Sequence, residues 1–112
     1  MAISYLSTEA IEQSTYAVSV AFYDENGDSV TPNSGLTWSL LNRAGSVVNS
    51  RGTVSITSAG TVTIVLYGAD LDISDGYERS LLVQGTYSSS LGTALPLKEE
   101  ARFRIVDVLG VS

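Results

Sequence analysis

The chain has 112 residues, 44% of them hydrophobic and 16% charged, with 6 Lys+Arg against 12 Asp+Glu and a formal net charge of −6. This length and balance fit one folded domain and exclude the charged, apolar-poor class of disordered chains. With 0 Cys and 0 His, disulfides, Cys/His zinc sites, thiol catalysis and His-based acid–base pairs are ruled out; the acidic balance argues against nucleic acid or an anionic membrane as partner.

Residues 1–13 have neither a positive n-region nor a sustained apolar core, so they do not read as a secretory signal. The longest apolar run, Ile64-Val65-Leu66-Tyr67, is far short of the ~20 residues of a membrane helix. Synthesis and folding in a cytoplasm are therefore expected. Ile3, Tyr5, Leu6 and Ile11 occur without strand periodicity, which predicts an N-terminal arm over 1–13, with one or two helical turns over Thr8–Gln13. Apolar residues in such an arm need a surface, on this domain or on a neighbour.

From residue 14 to 112 the pattern is that of one β domain. Tyr16, Val18, Val20 and Phe22 alternate with small or polar residues over 15–23, and Asp24-Glu25-Asn26-Gly27-Asp28 has the chemistry of a tight hairpin turn. A short strand over Ser29–Thr31 should stop at Pro32, which cannot donate to a ladder. Leu36, Trp38 and Leu40 share one face of the next strand, and the turn Asn42-Arg43-Ala44-Gly45 leads into a strand over Ser46–Ser50. Val54 and Ile56 point inward from Thr53–Thr57, as do Val62, Ile64 and Leu66 from Thr61–Tyr67. An acidic connection over Gly68–Glu78 follows, with Leu71 and Ile73 tucked under the sandwich edge and the acids facing water.

The strand over Arg79–Tyr87 directs Leu81, Val83 and Tyr87 inward. Ser88–Lys98 reads as a Ser/Gly-rich loop closing on Leu95-Pro96-Leu97. The last strand, Glu100–Val108, directs Ala101, Phe103 and Ile105 inward and Arg102 and Arg104 outward. The spacing predicts an all-β fold, an immunoglobulin-like antiparallel β-sandwich of about seven to eight strands with an N-terminal arm; a small Greek-key barrel is the alternative. If the last two strands pair as a hairpin, parity allows Val83 opposite Ile105, Thr86 opposite Arg102, and Phe103 covering Gly85.

The candidate sites are few. Asp24–Asp28 superficially has calcium-loop spacing, but the sixth and twelfth positions are Ser29 and Gly35 where that loop needs Gly and Glu, so a solvated turn is expected. Asp70, Asp72, Asp75 and Glu78 are the weak candidates for a hard-cation site; the ordinary reading is a solvated acidic connection. Paired-carboxylate chemistry lacks a cleft, and no G-x-S-x-G elbow or phosphate-cradling Gly loop occurs. No catalytic residue, metal or cofactor is assigned, and the chain is not expected to be an enzyme. Trp38 belongs to the core rather than to a sugar-binding platform, by its alternation. Arg102 and Arg104, with Arg79 nearby, form a possible basic stripe, for which cross-strand pairing with local acids is the ordinary reading. The predicted contact surfaces are the arm, through Ile3, Tyr5, Leu6 and Ile11, and the loop around Leu91, Leu95, Pro96 and Leu97, where proline pre-orders an extended segment.

Several of these stretches together carry a resemblance. Asp24-Glu25-Asn26-Gly27-Asp28 with Thr31-Pro32 and Leu36-Thr37-Trp38-Ser39-Leu40, then Gly45–Arg51 and Leu95-Pro96-Leu97 leading to Ala101-x-Phe103-x-Ile105, resemble small immunoglobulin-like structural proteins of tailed bacteriophages. The resemblance covers about residues 15 to 108. It implies a non-enzymatic virion structural protein, a capsid decoration or cement protein or a head–tail or tail accessory. Its expected partners are other virion proteins (capsid, connector or tail) and copies of itself, with neither nucleic acid nor membrane, and its expected location is the virion after synthesis in the bacterial host cytoplasm. The alternative is a carbohydrate- or cell-surface-binding β-sandwich module of a tail fibre or bacterial surface protein.

Overall fold

Among the described residues eight strands follow one another: Ala2–Tyr5 (β1), Ala10–Ile11 (β2), Thr15–Ala21 (β3), Thr37–Leu41 (β4), Val54–Ser55 (β5), Thr61–Tyr67 (β6), Glu78–Ser89 (β7) and Gly92–Val106 (β8). The structure, a computed structural model, describes residues 9–106 and the backbone of residues 2–5. The larger sheet has the order β1-β8-β7-β4-β5, with β2 also paired to β8, and β3 and β6 form a sheet of their own. This is an all-β, two-sheet sandwich. Two 3-10 turns, Gly68–Leu71 and Ile73–Asp75, connect β6 to β7.

The sandwich is built by alternation. Val62, Ile64 and Leu66 of β6 and Val18 of β3 bury against Trp38, Leu40, Leu81, Val83, Phe103 and Ile105 of the larger sheet. Each such side chain contributes about 1.5–3 kcal/mol on leaving water. The rings of Tyr16 and Phe103 meet across the sheets with centroids 4.7 Å apart. At Asp24–Asp28 the turn forms as its residues dictate: the Asp24 carboxylate accepts the amides of Asn26 and Asp28 at 2.9 and 3.0 Å.

Four expectations are corrected. First, the sheet is mixed rather than antiparallel, because β1 and β2 both run parallel to β8, Ala2–Tyr5 opposite Glu99–Arg102 and Ala10–Ile11 opposite Ile105–Val106. The outer edge of β8 is open, and pairing with it lets Ala10 enter the core while the Glu12 amide bonds the Val106 carbonyl at 3.0 Å. Ala10 and Ile11 are therefore strand, not helical turn, and the segment read as an arm carries part of the larger sheet. Second, Ser29–Thr31 shrinks to a single bridge, Tyr23 to Ser29, and Ser46–Ser50 to another, Leu41 to Val47. In the latter, Val48 still buries, but Asn49 and Ser50 turn the chain through positive φ of 52° and 58°.

Third, 88–98 is not a loop: β7 and β8 continue through it to a tight turn at Ser90-Leu91, with an irregularity between Tyr87 and Ser89. Fourth, that shorter turn slides the hairpin register, so Val83 faces Glu99, Thr86 faces Pro96, and Phe103 faces Arg79. The slide is an even number of residues, so the inward set survives: Ala101, Phe103 and Ile105 remain buried, and Arg102 and Arg104 remain exposed. Gly85 is covered, but by Leu36 rather than Phe103. A Cβ at Gly85 would come within 2.9 Å of the Leu36 Cδ1. Since Leu36 is fully buried, Gly85→Ala should cost about 1–3 kcal/mol through overpacking, read as a lower urea midpoint; unchanged stability would show that Leu36 has room to move.

Candidate functional site

The acidic connection folds around two charges that the sequence reading placed in water. Asp70 and Arg79 are 0% and 1% exposed. The Asp70 carboxylate accepts Asn49 Nδ2 at 2.9 Å and Arg51 Nε at 3.0 Å on one oxygen, and the Tyr67 amide at 3.1 Å on the other. Burial pushes this carboxyl up, but the hydrogen bonds from Asn49, Arg51 and Tyr67 and the Arg51 charge outweigh it and hold the group below the ordinary Asp range. Arg79 meets no carboxylate directly. Its guanidinium donates to the carbonyls of Asp70, Gly76, Glu78 and Asp72 at 2.6 to 3.0 Å, gathering around one cation a carbonyl of the first 3-10 turn, the two that flank the second, and the first of β7. Burial lowers its proton affinity, opposed by the negative field of Asp75, Asp72 and Asp70.

The four carboxylates weighed as a cation site do not come together. Asp70 is enclosed as described, Asp72 caps the second turn by accepting the Ser74 amide at 2.9 Å, Asp75 is exposed, and Glu78 lies 3.9 Å from Arg43. Among the described residues no group of three or more acidic side chains converges as a metal site would need. The basic stripe also changes: Arg79 is interior, because it shares parity on β7 with Leu81 and Val83. That signal was present in the alternation, and only the charge of Arg79 argued against it.

Outside, β7 and β8 form the floor of an open groove of about 820 Å³, flanked by the turn after β4 and by Glu9. Arg102 Nε donates to Glu100 Oε2, which also accepts Ser80 Oγ at 2.8 Å. The Arg102 hydrogen bond keeps the Glu100 carboxyl below its ordinary range, with burial opposing. Glu9, Glu78 and Glu100 face Arg43, Arg102 and Arg104 along the lining, and the fourth arginine, Arg79, is buried with its guanidinium on backbone carbonyls. The polar pairs of the groove suit a wet protein contact, each exposed pair worth up to about 1 kcal/mol.

The predicted contact residues separate into distinct fates. Ile11 is exposed beside its exposed register partner Val106, Leu91 is exposed at the hairpin turn, and Pro96 is exposed on β8. Leu95 is half-buried, while Leu97 is buried against the core, because β8 extends through this stretch and alternation turns Leu97 inward; as a contact residue it is corrected. Ile3 and Tyr5 lie on β1, their side chains outside the described residues, and Leu6 lies outside them altogether. Trp38 is in the core, 7% exposed. A contact that the sequence did not flag ties the Asp24–Asp28 turn to the far end of β7: Glu25 accepts Tyr87 Oη at 2.9 Å and Ser89 Oγ at 3.0 Å. No helix among the described residues is long and apolar enough to cross a membrane. Comparison of the chain with protein-family models, with curated proteins and with solved structures finds no match, and the functional reading rests on the chain's own residues.

Proposed function

We propose that the protein is a non-enzymatic structural component of a virus particle, a capsid decoration protein or a head–tail accessory, that acts through contacts between folded subunits. The observation that carries this reading is the placement of its exposed apolar side chains. Ile11 and Val106 stand side by side on the parallel β2–β8 pair, and Leu91, 70% exposed, caps the long β7–β8 hairpin. Two lie on strands and one at a hairpin turn, and none lines either groove found on the surface, so burying them needs another surface to arrive. The resemblance of the 15–108 stretch to small phage structural proteins supports the same class of partner, other virion proteins.

Removing 1–13 would take β2 and the buried Ala10 with it, so point substitution is the cleaner test. Produced together with the proteins encoded beside it, the wild-type chain should co-sediment with assembled particles. Ile11→Asp combined with Leu91→Asp should leave a chain of unchanged circular dichroism in the supernatant. A wild-type chain that never co-sediments, or a double variant that attaches fully, would overturn the reading.

A further inference from the structure

Among the described residues the β3–β6 sheet has two strands, and alternation of its ladder shows which backbone groups it leaves over. Phe22 N–H donates to Gly60 C=O and Gly68 N–H to Ser14 C=O, so the even-numbered residues of both strands exchange hydrogen bonds in the register Thr15–Tyr67 to Ala21–Thr61. The odd-numbered N–H and C=O groups therefore point away from the sheet. On β6 these belong to Thr61, Thr63 and Val65, all exposed; the next, Tyr67 N–H, is taken by Asp70. Strand edges in monomers are normally guarded by a charge, a proline or a bulge. Thr61–Tyr67, TVTIVLY, carries neither charge nor proline, and its pairing with β3 runs without a register shift.

We propose that this edge of β6 pairs antiparallel with the same edge of a second copy, joining two β3–β6 sheets into one four-stranded sheet about a two-fold axis at Thr63. The inference deepens the subunit reading, from which it takes a copy of the chain as a natural partner. The register follows from the free groups. Centring the two-fold on Thr63 sets Thr63 against Thr63 of the partner subunit and Thr61 against Val65 of the partner subunit, so every outward N–H meets an outward C=O. Charge selects both the occupant and the edge. Each copy carries −6 overall, yet β6 presents none of it, so two copies meet here without opposing like charges. The β3 edge is the poorer choice, because Glu99 and Glu100 line the groove beside Ser19 and Ala21, and a two-fold there would bring four carboxylates together. An edge contact of this kind is smaller than the ~1,000 Å² of a stable free dimer. The pairing is accordingly concentration-dependent and suited to copies that an assembly already holds close.

Sedimentation velocity from micromolar to millimolar protein should show a monomer–dimer equilibrium that strengthens with added salt, as repulsion between the acidic copies is screened. Amide exchange at Thr61, Thr63 and Val65 should slow in proportion to the remaining monomer, while Val62 and Ile64, already bonded to β3, should not change. Thr63→Lys, at an exposed position, should keep the fold and weaken association tenfold or more by opposing two ammonium groups on the axis. The double variant Thr61→Lys with Val65→Glu, with Thr63 unchanged, should associate at least as tightly as the wild-type chain, since this register sets each introduced ammonium against an introduced carboxylate. A chain that stays monomeric at millimolar concentration, a dimer indifferent to Thr63→Lys, or protection that maps elsewhere would overturn the pairing. Loss of the pairing with particle attachment intact would sink this inference alone. Pairing without attachment would sink only the virion reading.

Discussion

Replacing Arg79 with methionine is expected to destabilise the protein by about 3–5 kcal/mol, a drop in Tm of about 12–20 °C for a domain of this size. Methionine has nearly the volume and the right character for a site whose neighbours on the strand are Leu81 and Val83. What it lacks is the donors. The carbonyls of Asp70, Asp72, Gly76 and Glu78 all accept from the Arg79 guanidinium, and without it they lose that partner in buried and part-buried surroundings, each costing up to about 1–3 kcal/mol where water does not reach it. The β6–β7 connection should therefore loosen first, with amide protection lost over 68–78 before the strands melt. Arg79→Lys should fall between, because one ammonium cannot span the carbonyl set that the planar fork reaches. Thermal denaturation of the three proteins checks this; an Arg79→Met protein as stable as the parent would mean that the carbonyls find other partners.

Asp70→Ala should cost a similar amount, about 3–5 kcal/mol, by a different route. It strips the partner from Arg51, whose side chain is only 30% exposed, and from Asn49, and it leaves Arg79 with less nearby negative charge. The segment that Asp70 holds is a strained one: Asn49, Ser50 and Thr53 all have positive φ, 52°, 58° and 47°, conformations that cost about 1–3 kcal/mol each. Thr53 has a second anchor, its amide bonding Ser39 Oγ at 2.9 Å, so the expected local change is relaxation of 49–51 more than of 53.

Acid should reveal the same carboxylate. Because the folded-state pKa of Asp70 lies below its unfolded value, the charged form is favoured by folding. Its stabilisation is fully present above the unfolded pKa of about 3.9 and is lost as pH falls through the folded pKa. Asp70→Asn keeps the shape and has no proton to gain. The stability difference between the wild-type chain and Asp70→Asn should therefore be flat from neutral pH to about 5 and shrink below about 4. Urea midpoints at a series of pH values measure it, and a difference independent of pH would show that the bonds matter and the charge does not.

Much of this molecule was legible residue by residue. Of the inward set that follows from period two, Val18, Phe22, Leu36, Trp38, Leu40, Val62, Ile64, Leu66, Leu81, Val83, Ala101, Phe103 and Ile105 are buried, while Tyr16, Val20, Val54, Ile56 and Tyr87 are half-buried at the margin of the core. The turn at Asp24–Asp28 follows from side chains that bond their own backbone. Leu71 and Ile73 do tuck inward as expected. The candidate contact residues were legible where they end turns or edges, as Leu91 and Ile11 do, and misread where a strand ran on, as at Leu97. The charged interior was half legible. Arg79 stands at an inward position by parity, but Asp70 follows a glycine that breaks the alternation, and nothing local ties it to Asn49 and Arg51 about twenty residues away.

Composition, alternation and turn chemistry by themselves determined an all-β sandwich, its core face, and the absence of thiol and imidazole chemistry, because these depend only on residue identity and on a period shared by every strand. Tertiary structure alone decided the parallel seat of β1 and β2 on β8, the slide of the β7–β8 register, the burial of Asp70 and Arg79, and the open edge of β6. Each of these depends on which distant segment arrives beside which, and pairings that bury the same apolar faces differ locally only in the backbone and charged groups they leave to be satisfied.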